Sequence, residues 1–169
     1  MVFQEHFLFH WLTVEANVAF ALKLRGDPRA NYLRQAHDFI RRVGLKGFEH
    51  HYPDELSGGM RQRVSIARAF AVDPEILLCD EPFSSLDEMT ARDLRAEFVR
   101  LVRQSNKTAV FITHQINEAM EIGDRVLVFH RPARIAYEAR LGANTSDADR
   151  RKVHDDIMRV LSVEQAPAA

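Results

Sequence analysis

Apolar and polar positions along the chain follow two different periods. Val14, Val18 and Ala21 or Leu22 recur at helical spacing behind Thr13, a residue able to cap a helix, and Gly26 stops the run after Leu24. Asp27-Pro28 reads as an N-cap with proline at the first helical position. Leu33, Ala36, Phe39, Ile40 and Val43 then make the apolar stripe of a second helix ending at Gly44. Ser57 opens a third helix with Met60, Val64, Ala67 and Ala71 inward, closed by Asp73-Pro74. The period then changes. Ile76 to Cys79 is a short continuous apolar run, which predicts a strand buried on both faces of a parallel sheet, and Ala109 to Ile112 repeats it. Between them Ser85-Leu86-Asp87-Glu88 fits a capping box for a helix with Leu94, Phe98, Leu101 and Val102 inside.

Further on the pattern predicts a short helix over 115–122 ending at Gly123, strands over Arg125–Phe129 and Ile135–Ala139, and an amphipathic helix from Ser146-Asp147-Ala148-Asp149 to about Leu161. Val2-Phe3-Gln4 reads as the end of a strand, and the Ala/Pro tail from Glu164 as a frayed end. Strands alternating with helices predict an α/β fold with a parallel sheet and right-handed crossovers. In such sheets ligands gather at the C-terminal ends of the strands.

Composition narrows the partners. With 23 basic and 24 acidic residues the net charge is −1, which offers no bulk electrostatic case for nucleic acid or anionic lipid. The length of 169 residues suits one domain or a large piece of one. One cysteine excludes an internal disulfide framework and fits a reducing compartment. The N-terminus lacks the basic region of a signal peptide, and no run approaches the roughly 20 apolar residues that span a bilayer. Any membrane association is therefore expected to come through a partner.

Three stretches carry candidate chemistry. Ser57-Gly58-Gly59 exposes backbone N–H groups at a helix start, where the helix dipole favours an anion and the Ser57 hydroxyl adds a donor; alone, such a stretch is most often a capped turn. Asp80 and Glu81 end the first apolar strand. Alternation sends their side chains to opposite faces, so one can hold a metal while the other orients or deprotonates a nucleophile; the plain alternative is a solvated acid pair. His114, after the second strand, can bond a phosphate oxygen or simply be satisfied by backbone.

The spacing ties them together: 21 residues from Gly59 to Asp80 and 33 from Glu81 to His114. In this order the stretches resemble the nucleotide-binding subunit of ATP-binding cassette (ABC) transporters over residues 1 to about 141. Leu56 to Met60 looks like the signature motif, Ile76 to Glu81 the Walker B strand, Ser84 to Asp87 the D-loop, His114 the switch histidine and Val2 to Glu5 the Q-loop. Phe3-Gln4-Glu5, Trp11-Leu12-Thr13-Val14, Tyr52-Pro53 and Leu56 to Arg63 are similar to the nitrate/sulfonate/taurine importer branch. Met60 replaces the commoner glutamine, His10 a usual proline, Gln115 a common aspartate, and Pro132-Ala133-Arg134 lacks a usual glycine.

The resemblance implies a P-loop NTPase-type parallel sheet with a small helical subdomain, the latter over about 14–72, a core over about 73–141, and a C-terminal helix and tail over 142–169. It implies ATP as substrate with Mg²⁺, phosphoryl transfer to water, and these roles: Asp80 on the metal, Glu81 as base, His114 on the γ-phosphate, and Gln4 sensing metal and water. Ser57, Gly58 and Gly59 would bind the γ-phosphate of ATP held by a second ABC subunit, and Asp87 would bridge the two. Partners would be that second subunit, membrane permease subunits meeting the segment after Gln4 through about Leu24, and indirectly a substrate-binding protein. The implied place is cytoplasmic, peripheral on the inner face of the membrane. An ABC ATPase of DNA repair or translation fits the neutral charge less well.

One expected motif is missing. The glycines are 26, 44, 47, 58, 59, 123 and 142, and no pair frames Gly-x-x-x-x-Gly-Lys-Ser/Thr. The sequence thus predicts the C-terminal part of a transport ATPase without Walker A and the first strands, inactive by itself. The alternative is a non-catalytic module lending its signature loop in trans to a complete partner.

Overall fold

The computed structural model describes residues 1–3, 7–24, 26, 28–142 and 144–164. It divides into two compact units, Met1–Ile112 and Thr113–Ala169.

The first unit holds helices α1 (Val14–Leu24), α2 (Arg29–Arg42) and α3 (Gly58–Ala71), strand β1 (Ile76–Asp80), helix α4 (Glu88–Gln104) and strand β2 (Thr108–Ile112). Thr13 caps α1 as expected, its Oγ1 accepting the Ala16 N–H at 3.2 Å. The expected cap Asp27 lies outside the described residues. Pro28 has an extended ψ of 141° and precedes α2 rather than opening it. Gly44, at φ +71°, leaves α2 through the left-handed region that glycine enters without cost. Val14, Val18 and Leu22 of α1, Ala36 and Ile40 of α2, and Val64 and Ala67 of α3 form the buried seam among these helices. Gln62, Ser65, Ile66 and Phe70 of α3 are also buried, so this helix is enclosed well beyond its expected stripe. Asn17, fully buried, binds the preceding loop: its Oδ1 accepts the Phe9 N–H at 2.9 Å while Nδ2 faces the carbonyls of Phe9, Leu12 and Thr13. Arg63 of α3 donates to the Val43 carbonyl behind α2 at 2.9 Å and pairs with Glu97 of α4, so one guanidinium ties three helices.

β1 and β2 pair in parallel, Ile76 opposite Thr108 through Asp80 opposite Ile112. Val2 bridges the other edge of β1 in parallel at Cys79, its N–H donating to Leu78 and its carbonyl accepting from Asp80 at 2.8 and 2.9 Å. The expected strand end at Gln4 lies outside the described residues. The strands are buried on one face only, not on both as expected. Leu77 and Cys79 are buried, and Phe111 lies among the aromatic rings of Phe83 and Phe98. On the opposite face Ile76, Leu78, Val110 and Ile112 are 58, 47, 48 and 56% exposed. The cause is alternation: successive side chains face opposite ways, and among the described residues nothing covers the second face. Burial pushes the Cys79 thiol up to about 12, so it stays protonated and unreactive.

The second unit contains α5 (Ile116–Ile122), β3 (Arg125–His130), β4 (Arg134–Arg140) and α6 (Asp147–Glu164). β3 and β4 form an antiparallel hairpin with an irregularity at Val128/Phe129. A parallel arrangement throughout does not extend to them, because three residues between strands allow only an antiparallel return. Met120, Val126, Val128, Leu141 and Ile157 form this unit's core. Ser146 caps α6, accepting the Asp149 N–H at 3.1 Å. The helix runs through Glu164, beyond the expected Leu161.

Candidate functional site

The Ser57-Gly58-Gly59 stretch does open a helix. Ser57, at φ −66° and ψ 164°, is the N-cap of the 14-residue α3, and its Oγ accepts the Met60 N–H at 3.2 Å. Buried Leu56 anchors the approach, and its carbonyl accepts from Arg61 Nη1 at 2.6 Å. The first amides of a helix have no partner inside it, so those of Gly58 and Gly59 sit at the positive end of the dipole on residues with no side chain of their own. Gly59 has a second reason to be glycine. A Cβ there would lie 2.6 Å from Thr90 Cγ2 on α4, whereas one on Gly58 would meet Leu86 Cδ2 at an ordinary 3.7 Å. The structure thus brings the signature-like and D-loop-like stretches together.

The start of α4 departs from expectation. The cap is Asp87, not Ser85: Asp87 is extended, at φ −63° and ψ 152°, and its Oδ1 accepts the Thr90 N–H at 3.0 Å. Ser85 is two residues too early to reach that amide. The N–H and then the hydroxyl of Thr90 hold the Asp87 carboxyl below the usual carboxylate range. A depressed carboxyl contributes above its unfolded pKa and is lost as pH falls through the folded one, so this cap is intact at neutral pH and fails only in acid.

At the end of β1, Asp80 is half-buried and its N–H is taken by the Val2 carbonyl. Glu81 follows at φ +43°, in the left-handed region, with its N–H donated to the Ile112 carbonyl at 2.9 Å and its own carbonyl accepting from Ser84 Oγ at 2.9 Å. Strand alternation therefore ends at Glu81. A non-glycine residue there stores strain on the order of 1 kcal/mol or more, held by the hydrogen bonds around it. Glu81→Gly is accordingly expected to leave the thermal midpoint unchanged or raise it by about 2–4 °C, although it deletes a whole side chain. A fall of several degrees in a melting scan would remove the strain.

His114 is exposed, two residues past the end of β2 and before α5, where Thr113 Oγ1 accepts the Gln115 N–H at 3.0 Å. Gln4 lies outside the described residues. No cluster of three or more His, Cys, Asp or Glu suited to a metal occurs among the described residues. A lone half-buried carboxylate such as Asp80 still suits Mg²⁺, which keeps waters and takes substrate phosphates alongside one or two carboxylates. The sequence motifs do not include Thr90, and they place Ser84 in the D-loop-like stretch without its bond to the Glu81 carbonyl. Each matters through a contact with a residue already singled out.

Residues 1–84 match the family model described as ABC transporter. An uncharacterized ABC transporter ATP-binding protein of Methanocaldococcus jannaschii is 48% identical over 136 residues, covering 80% of this chain and 51% of that protein. The sulfate/thiosulfate import ATP-binding protein CysA of Mycobacterium tuberculosis is 47% identical over 77% of this chain and 37% of its own length. Among solved structures, the ATP-binding cassette MJ0796, a dimer in a post-hydrolysis state bound to ADP and Pi, aligns with a TM-score of 0.71 at 32% identity. That alignment covers 84% of this chain and 62% of the other. The chain spans about half the length of the first of these relatives and about a third of the second. No helix of the described residues is long and apolar enough to cross a membrane.

Proposed function

Because this chain carries part of an ABC transporter ATP-binding domain, we propose that it is the signature and Walker B segment of an ATPase subunit that powers import of a small solute. The observation that carries this reading is Glu81, a carboxylate retained at a left-handed backbone position directly after the metal-suited Asp80. Strain of this kind collects where a side chain is used.

On this reading Ser57, Gly58 and Gly59 hold the γ-phosphate of an ATP cradled by a second subunit, and Asp87 lies at the boundary between the two. Glu81 takes the proton of the attacking water, His114 orients the phosphate, and Gln4 reports to the permease. Asp80 would hold Mg²⁺; when bound, the ion neutralises charge building on the phosphate oxygens. The helical section is 14–72, the core 73–141, and 142–169 an extension. The nitrate, sulfonate or taurine class of solute is supported by the importer-like residues near Trp11 and Tyr52. The subunit works on the inner membrane face through permease contacts.

The test is association. Sedimentation of the chain with a complete ABC ATPase should give a mixed dimer only with MgATP, and Ser57→Arg should abolish it. The chain alone should bind MgATP no tighter than millimolar. No ATP-dependent mass increase, an increase unchanged by Ser57→Arg, or micromolar binding by the chain alone would overturn the reading.

A further inference from the structure

Gly59 and Asp87 share one neighbour, Thr90. Its γ-methyl occupies the space that a side chain at residue 59 would need, 2.6 Å from the position of a Cβ there. Its N–H donates to Asp87 Oδ1 at 3.0 Å, and its hydroxyl adds to the N–H in holding that carboxyl below the usual range. A methyl normally yields to a close neighbour by turning about χ1. Here that turn would take the hydroxyl off Asp87, so steric and polar contacts oppose each other on one rotor.

We propose that Thr90 is a positioning residue that locks Gly59 to Asp87, so that the N-termini of α3 and α4 shift as one piece. Asp87 and the amides that follow Ser57 lie on separate helices, and the Thr90 side chain packs beside Gly59 on one while its N–H binds Asp87 on the other. Leu86, at 3.7 Å from a Cβ on Gly58, makes only ordinary contact. The functional consequence rests on the ATPase reading above. Movement of Asp87 at a subunit boundary is passed through Thr90 to the amides facing phosphate, and phosphate binding is passed back.

The lock is tested without nucleotide, on the ¹⁵N-labelled chain. Gly59→Ala should shift the amide resonances of residues 87–91 and lower the melting midpoint by about 5 °C. In a Thr90→Ser background, where the methyl is gone and the hydroxyl kept, both responses should shrink by half or more. Thr90→Val, which keeps the methyl and loses the hydroxyl, should move the Asp87 carboxyl titration up towards the ordinary range. The Met60 amide should shift with it. Equal responses to Gly59→Ala in both backgrounds overturn the lock, as does an Asp87 titration that moves while the Met60 amide stays fixed. If Gly59→Ala does not fold, the Thr90→Val comparison decides. Failure of the ATPase reading would appear instead as missing ATP-dependent association, with these resonances unaffected.

Discussion

Phe98→Ala is expected to lower the melting midpoint by roughly 6–20 °C, the equivalent of the ~3–5 kcal/mol that truncating a buried phenylalanine costs. Phe98 is 1% exposed on the inner face of α4. Its ring centroid lies 6.0 Å from Phe70 of α3, 6.1 Å from Phe83 after β1 and 6.1 Å from Phe111 of β2. All three separations fall in the range where edge-to-face pairs add to burial. One ring therefore joins a helix of the helical section, the turn that carries Glu81, and strand β2. Deleting it leaves a cavity bounded by three other aromatic rings, too stiff to collapse into the space. With total stabilities of about 5–15 kcal/mol, a loss of this size unfolds a substantial fraction of the molecules near physiological temperature. Met89→Ala on the same helix, where the side chain is 79% exposed, should change stability by less than about 0.5 kcal/mol. Comparable losses from the two variants, measured by calorimetry, would mean that the aromatic cluster does not hold this unit together.

The same helix shows what periodicity can and cannot supply. Leu94, Phe98 and Leu101 were legible as an inward stripe because spacing along a helix is a local property, and all three are buried. Which residue capped it was not legible: Ser85 and Asp87 are both good N-caps, and only the extended backbone at Asp87 selects between them. The strands fail in a similar way. An apolar run announces a strand but not what lies over each face, so Leu77 and Cys79 are buried as expected while Ile76 and Leu78 are not. The candidate site divides along this line too. Ser57, Gly58, Gly59, Asp80, Glu81, Asp87 and His114 stand out by type and spacing. The left-handed turn at Glu81, the Ser84 bond to its carbonyl and the Thr90 methyl against Gly59 depend on residues meeting in space. Asn17 is the sharpest case: a polar residue within an apolar helical stripe, fully buried because it binds the loop before it.

On the ATPase reading proposed above, Glu81→Gln in a complete ATPase subunit carrying this segment is expected to reduce ATP turnover by ~10²–10⁴-fold while sparing ATP binding. Glutamine keeps the length and planarity of glutamate and presents one carbonyl oxygen, so it can still hold a water near phosphate. It cannot take that water's proton. It also keeps the backbone cost, since φ +43° is equally unfavourable for both residues. The melting midpoint should therefore move by less than about 2 °C, and a change in turnover can be read as chemistry rather than folding. Glu81→Gly separates the two effects from the other side: it relieves the backbone and removes the carboxylate, so it should be at least as stable and equally slow. Asp80→Asn should differ from both, because loss of a metal-suited carboxylate raises the Mg²⁺ concentration needed for half-maximal rate. Single-turnover hydrolysis beside equilibrium ATP binding distinguishes these outcomes. Turnover of Glu81→Gln within tenfold of the parent would remove Glu81 as the base and leave its strained backbone without a chemical reason.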